Sequence, residues 1–294
     1  MRAAAIFGLG SSPDDLKAFQ QDSKIEWSIG LPAASGETDA ILIFGGDGTI
    51  HRHLGQLIKL RRPVLIVPCG SGNDFARALA LSRTQDSLLQ WRQFLTTRQN
   101  VRLVDLGTIT PLAPQSAVHY FCCIAGCGLD SAAAHRANSM PSWLRGHGGY
   151  VLGLAAALVR FKPLPMNLQI LSTEADRSTR ATSTPLMLAA FANAPTYGHG
   201  MRMAPRADMH DGKLDVCLIR RLSKLRLGYL FPTVYSGRHL QVPEVEYFQA
   251  ERLRLETESP AEIYADGEFV CRTPIELGVA PAALPVIAPP KPNP

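Results

Sequence analysis

Two short stretches place glycines and acids directly after apolar runs. In IFGGDGTIHRHL, residues 43–54, Gly45, Gly46 and Gly48 surround Asp47, with Thr49 next. In VPCGSGNDFARAL, residues 67–79, Gly70 and Gly72 flank Ser71, and Asn73 and Asp74 stand at an expected helix start. A strand that runs through glycines into a helix presents backbone N–H groups, and the missing side chains let a phosphate approach the main chain. Thr49 is placed to cap the following helix and donate to a phosphate, while Asp47 could orient a magnesium ion or a lysine, or accept a proton. A carboxylate beside bound phosphate is repelled unless a cation intervenes. Acid plus glycine in both loops therefore points to nucleotide with magnesium, whereas a phosphate-only pocket would want Lys or Arg. One such loop reads equally well as a tight strand-to-helix turn, but two after successive strands are harder to dismiss. Neither loop has the GxxxxGK[ST] pattern, and GGDGT lacks the dinucleotide-fingerprint spacing.

The elements that must hold these loops follow from the pattern around them. Up to about residue 110, short β-rich runs alternate with helical patterns: AAAIF then DDLKAFQQ, DAILIF then a helix at 49–61, PVLIVP then NDFARALA. That rhythm predicts a doubly wound α/β nucleotide-binding domain with a parallel sheet, both loops lying side by side at the carboxyl ends of its strands. From about 115 onward, β-type runs dominate (AVHYFCCIA, NLQILST, PLMLAAFAN, LDVCLIR, RLRLET, AEIYADGEFVC, PIELGVA), with helical candidates at 131–138, 147–161 and 223–237. A second, mainly antiparallel β domain is expected. The expected boundaries are 1–112 and 113–282, with 283–294 a candidate to return to the first domain, and the site is expected in the cleft between them.

GGDGT followed by PCGSGNDFAR resembles the catalytic domain of the diacylglycerol kinase family, which includes bacterial lipid kinases and the sphingosine and ceramide kinases. FCCIAGCGLDSAAA at 121–134, GHGMRMAPRADMHDGKLDV at 198–216 and YADGEFV at 264–270 extend the resemblance over nearly the whole chain. The order of five motifs is more specific than any one of them, since GGDG also occurs in NAD kinases and phosphofructokinases. The resemblance implies ATP and Mg2+ as cofactors and a lipid alcohol as substrate, most of all diacylglycerol, giving phosphatidic acid and ADP. Gly46, Asp47, Gly48, Thr49 and Ser71 would bind nucleotide, Ser71 standing where the family usually has Thr. Asp211 would hold a structural magnesium with backbone oxygens from Asp208 and Lys213. Glu268 matches the family's proton acceptor, with Asp266 as its alternative. Two departures stand out: His51-Arg52 replaces the usual Asn-Glu, and FGLGSS replaces Asn-Pro-x-Ser-Gly after the opening strand. Rival readings are a kinase for a sphingoid base or other alcohol, and a non-catalytic membrane-associated nucleotide sensor.

Chemistry alone makes the acid assignment reasonable, because phosphoryl transfer to an alcohol needs positioning, charge neutralisation and a carboxylate near the attacking hydroxyl. Asp266 and Glu268 flank Gly267 and are expected to share one face of an extended segment. The competing reading of Asp-Gly is a hairpin turn. His51 and His53 read as solvated or packed helix residues.

A net charge of +5 and a sequence pI near 9.0 permit phosphate-bearing partners without choosing among them. No aromatic-basic motif supports nucleic-acid binding. Six sparse cysteines in apolar runs read as buried thiols of a reducing cytoplasm rather than a metal cluster. The apolar run at the N-terminus is too short for a signal peptide, and YVLGLAAALVRF at 150–161 is too short to span a bilayer. A cytoplasmic protein bound peripherally to an anionic membrane is expected. Its interfacial candidates are GHGGYVLGLAAALVRFKPLP, with Arg160 and Lys162 in it and Arg145 just before it, and RRLSKLRLGYLF, with Arg220, Arg221, Lys224 and Arg226. For each, a helix packed on the second domain or merely solvated is the competing reading. The oligomeric state is left open, a homodimer being one option.

Overall fold

A computed structural model describes residues 1–21, 24–138, 161–171 and 182–291. The chain divides into two compact units, Met1–Asp105 with Pro281–Pro294, and Leu106–Ala280.

The first unit carries β1 (Arg2–Phe7), β2 (Glu26–Ile29), β3 (Ala40–Gly45) and β4 (Val64–Pro68). These lie parallel in the order β2, β1, β3, β4. All six residues of β3 are buried, as its unbroken apolar sequence requires of a strand covered on both faces. Helix α1 (Asp47–Leu60) returns from β3, with Ile50, Leu54 and Leu57 buried at helical spacing and Arg61 ending it in the left-handed conformation. The helix after β4 is a single short segment, α2 (Asp74–Ala78), followed by α3 (Thr84–Thr97). The DDLKAFQQ run forms a 3-10 helix over Pro13–Phe19. Strand β2 has a mostly exposed pattern, and for that reason carries no apolar alternation that sequence could reveal.

Strand β5 (Val101–Pro111) leads into the second unit. There follow β6 (His119–Phe121), β7 (Ile124–Gly128), α4 (Leu129–Asn138), β8 (Leu164–Ile170), β9 (Thr182–Ala192), β10 (Leu214–Arg220), α5 (Lys224–Ser236), β11 (Val245–Ala250), β12 (Arg252–Thr257), β13 (Glu262–Ala265), β14 (Glu268–Arg272) and β15 (Ile275–Ile287). Pairing within this unit is antiparallel: β14, β13, β7, β9, β8, β12 and β15 succeed one another, with β10 and β11 added beyond β9. Phe121, Met166, Phe191, Leu253, Ile263 and Leu277 anchor its core. The last residues of β15 pair with β4 in the first unit's sheet, Val286 opposite Val64. The α/β class with a mainly antiparallel second part is as expected. The helical candidate at 147–161, apart from its last residue, lies outside the described residues. No described helix is long and apolar enough to cross a membrane.

Candidate active site

In the first unit, the two glycine loops meet backbone to backbone. A Cβ on Gly46 would stand 2.9 Å from the Gly70 Cα, so residues with side chains at either position would push the loops apart. Asn73 holds the second loop closed: its Oδ1 accepts the Gly70 N–H at 2.9 Å and its Nδ2 donates to the Gly70 carbonyl at 2.7 Å. Asn73 adopts φ 54°, a left-handed conformation that Asn tolerates better than most residues, and starts α2.

Asp47, the first residue of α1, reaches across to the start of α2. Its Oδ2 accepts the Asp74 N–H and its Oδ1 the Phe75 N–H, each at 3.0 Å. A carboxylate at two N-terminal amides is favoured by both hydrogen bonding and the helix-end charge. Asp74 is buried and accepts from Arg77 Nη1 at 2.6 Å, while Arg77 Nη2 donates to the Gly72 carbonyl at 3.0 Å. A Cβ on Gly72 would lie 2.9 Å from Asp47 Oδ2 and 3.5 Å from Asp74 Oδ2, so both carboxylates face this glycine. Ser71 is exposed beside them. Magnesium at phosphates takes one or two carboxylates plus phosphate oxygens and water, a demand that the Asp47 and Asp74 pair can meet. Thr49 does not cap α1. The cap is Gly46, and Thr49, in the first turn, packs where a Cβ on Gly45 would meet it at 2.8 Å. The helix begins two residues earlier than expected, at Asp47, so that Gly48 lies inside it while Gly46 caps it and Gly45 ends β3. His53 is half-buried, and burial followed by the Arg52 charge lowers its pKa.

In the second unit, the ADGE segment is a two-residue hairpin and not an extended strand. Asp266 (φ 50°) and Gly267 (φ 87°) form the turn, and Ala265 pairs with Glu268 across it. Both central residues at positive φ are what the right-handed twist of β13 and β14 requires, and Asp-Gly supplies them. The two acids consequently take different roles. The Asp266 carboxylate accepts the N–H groups of Cys122 and Cys123 at 2.8 Å each and of Ile124 at 3.3 Å, and its own N–H donates to the Ile124 carbonyl. Glu268 is exposed at the first position of β14. It lies near enough to Tyr264 that its charge, after burial and Glu262, helps raise the tyrosine pKa. Tyr264 OH is 3.0 Å from His135 Nδ1, and its ring packs edge-on to Phe269.

Sequence reading missed Asn193. This fully buried residue donates from Nδ2 to the Cys122 carbonyl at 2.8 Å and from its N–H to the Cys123 carbonyl at 2.8 Å. Asp266 and Asn193 thus hold the donors and acceptors of the Cys122–Cys123 link between β6 and β7. The available signal was an Asn ending the apolar run of β9. Tyr197, which donates to the buried Asp130 at 2.7 Å, was also missed.

Asp208, Asp211 and Lys213 lie on the turn before β10. Asp211 Oδ1 accepts the Lys213 N–H at 3.0 Å, and its Oδ2 accepts from Gln249 Nε2 at 3.1 Å. Gln249 also donates to Asp215, which accepts from Tyr247 OH at 2.6 Å. Burial raises the Asp215 pKa, the Tyr247 and Gln249 bonds oppose this, and the charges of Asp211 and Asp208 add to it. His210 Nδ1 is 3.1 Å from Asp208 Oδ1. Among the described residues, no group of three or more His, Cys, Asp or Glu side chains converges on a metal position.

The first unit thus carries glycine-acid loops on a parallel sheet, and the second carries an exposed glutamate beside a hairpin turn. Residues 22–109 match the diacylglycerol kinase catalytic domain, and residues 123–288 match the YegS C-terminal NAD kinase beta sandwich-like domain. A diacylglycerol kinase of Mycobacterium tuberculosis is 34% identical over 257 residues, 87% of this chain and 79% of that protein. A diacylglycerol kinase of Bacillus subtilis is 26% identical over 239 residues, covering 81% and 73%. A crystal structure of a candidate diacylglycerol kinase from Bacillus anthracis superimposes with a TM-score of 0.73 at 18% identity, covering 98% of this chain and 97% of that one. An NAD kinase from Archaeoglobus fulgidus, solved with ATP, shares the fold at a TM-score of 0.53 and 15% identity, covering 97% and 92%. The chain belongs to the diacylglycerol kinase family of lipid kinases, in its YegS-like form.

Proposed function

We propose that this kinase transfers the γ-phosphoryl group of ATP to the hydroxyl of diacylglycerol, giving phosphatidic acid and ADP. The observation that carries the reading is the division between the two hairpin acids. Asp266 is committed to three backbone amides, while Glu268 is exposed at the hairpin. Glu268 takes the proton of the attacking hydroxyl as its oxygen bonds to the γ-phosphorus and the bond to the ADP oxygen breaks. Gly46, Gly48, Gly70 and Gly72 give the phosphates access to the main chain, Ser71 is exposed beside them, and Asn73 fixes the second loop. Asp47 and Asp74 would hold magnesium at the phosphates, where it supplies neutralisation of their charge. Asp211, with carbonyls of Asp208 and Lys213, is the proposed seat of a second, structural magnesium. The choice of diacylglycerol is supported by the relatives bearing that name. Action on a lipid in an anionic membrane fits the charge of +5.

The test is incubation with labelled ATP and a panel of diacylglycerol, sphingosine, ceramide and glycerol in detergent micelles, with products identified by mass. Phosphatidic acid as the dominant product is expected. A phosphorylated sphingoid base instead would move the acceptor, and ATP binding without any phosphorylated lipid would overturn the reading.

A further inference from the structure

Helix α5 is apolar on two opposite faces, and the fold buries only one. Leu227, Leu230 and Val234 point into the second unit and are nearly fully buried. On the opposite side, Leu225 is 90% exposed and Tyr229 78%, with Gly228 and Pro232 exposed between and beyond them. Leu225, Tyr229 and Pro232 follow one another at helical spacing, so they form a single stripe. Beyond Arg226 the helix carries no charged residue. An ordinary solvated face would hold charges there, and an outward apolar stripe on a helix whose other face is already buried marks a surface that another apolar phase covers.

The surroundings decide what covers the stripe. From 220 to 242 the chain holds Arg220, Arg221, Lys224, Arg226 and Arg238 and no carboxylate. Only Glu244 and Glu246 follow closely, and they pair with Arg226 at 3.0 Å and Arg220 at 2.9 Å. Five cations against two carboxylates leave the segment positive, with Arg221 and Arg238 exposed before and after the helix. Tyrosine rings suit an interface, where one end is apolar and the other wet. Leucine and tyrosine flanked by arginines fit a lipid surface bearing negative headgroups better than they fit water.

We infer that the exposed face of α5, through Leu225 and Tyr229 with Arg221 and Arg238 at its ends, docks the kinase on an anionic lipid bilayer. The inference rests on the lipid-kinase reading and names the surface that brings such an enzyme to its substrate. Its test uses the full chain and vesicles of phosphatidylcholine with and without phosphatidylglycerol. Wild-type protein should co-sediment with the anionic vesicles, less so as salt rises. Leu225→Ser with Tyr229→Ser should weaken that binding by about tenfold or more. Turnover of diacylglycerol in the vesicles should fall in parallel, and turnover of a water-soluble short-chain diacylglycerol should be unchanged. An Arg221→Ala, Arg238→Ala variant should lose the preference for anionic vesicles. Because these residues are exposed, circular dichroism and the thermal midpoint should match wild type.

Vesicle binding unchanged in both variants would overturn the inference. So would conversion of a dimer to a monomer by the serine variant with vesicle binding intact, since a second copy would then be the occupant. If wild type phosphorylates no lipid yet the variants lose vesicle binding, the docking face stands and only the proposed activity fails.

Discussion

Asp47 and Asp266 sit in similar short glycine motifs in different units and use their carboxylates in the same way. Each grips amide groups of a neighbouring segment: Asp47 those of Asp74 and Phe75, Asp266 those of Cys122, Cys123 and Ile124. They differ in what stands beside the grip. Asp47 shares its glycine with a second acid, Asp74, so the strut also borders the proposed phosphate position. Asp266 occupies the turn itself and leaves Glu268, two residues on, exposed. Acids in glycine motifs can thus tie two segments together through their amides, as Asp47 and Asp266 do, or stand exposed beside the turn, as Glu268 does.

The sharpest way to break the comparison is Asp47→Ala. If Asp47 is both strut and phosphate neighbour, ATP-dependent turnover should fall by about 100-fold or more. Stability should also drop by about 1–3 kcal/mol, because two amides at the start of α2 lose their acceptor. Full activity measured in a variant of lower thermal stability would reduce Asp47 to a strut alone. Asp266→Asn should be milder on chemistry, since it spoils the grip without removing Glu268. About 1–3 kcal/mol of stability should be lost in denaturant unfolding, with a smaller loss of kcat. A stable Asp266→Asn variant with kcat abolished would reverse the roles of the two hairpin acids.

Gly70→Ala tests the contact between the loops. The added methyl meets the Gly46 backbone, so ATP affinity by titration calorimetry should weaken, and about 1–3 kcal/mol of stability should go with it. Unchanged affinity would mean that the loops need not touch to hold nucleotide. The smallest effect concerns His239, fully buried with Nε2 3.1 Å from the Met203 carbonyl. Burial lowers its pKa below 6.5. A histidine kept neutral by the fold contributes stability above the unfolded pKa, and that stability is lost as pH falls from 6.5 through the lowered value. The thermal midpoint should therefore decline on acidification below 6.5, and less steeply in His239→Gln. His53 shifts in the same direction and leaves a residual slope.

The strands that sequence disclosed are those whose chemistry is one-dimensional. AILIF read as a buried parallel strand, and the glycines after it as the passage from strand to helix. Strand β2, mostly exposed, and the shortness of α2 were not legible, because both depend on what packs against them. The loops were legible as a pair, since each follows an apolar run. Their direct contact was not, because it rests on Gly46 meeting Gly70 across two strands. At ADGE, the dipeptide Asp-Gly spoke for a hairpin, and the extended reading failed on the positive φ of both residues. The partners of Asp266 lie more than 140 positions away in the chain, and Asn193 is a further distant residue on the same link. No local pattern encodes such a meeting.

The central claim is that Glu268 is the reagent of a lipid kinase, and it is tested most directly by comparing wild type and Glu268→Gln on diacylglycerol in the same micelles. Labelled ATP, product mass and nucleotide affinity would be measured together. Wild type should form phosphatidic acid, and the variant should bind ATP equally well, unfold at the same temperature and turn over about 100- to 10,000-fold more slowly. Near-normal turnover by Glu268→Gln would contradict the account.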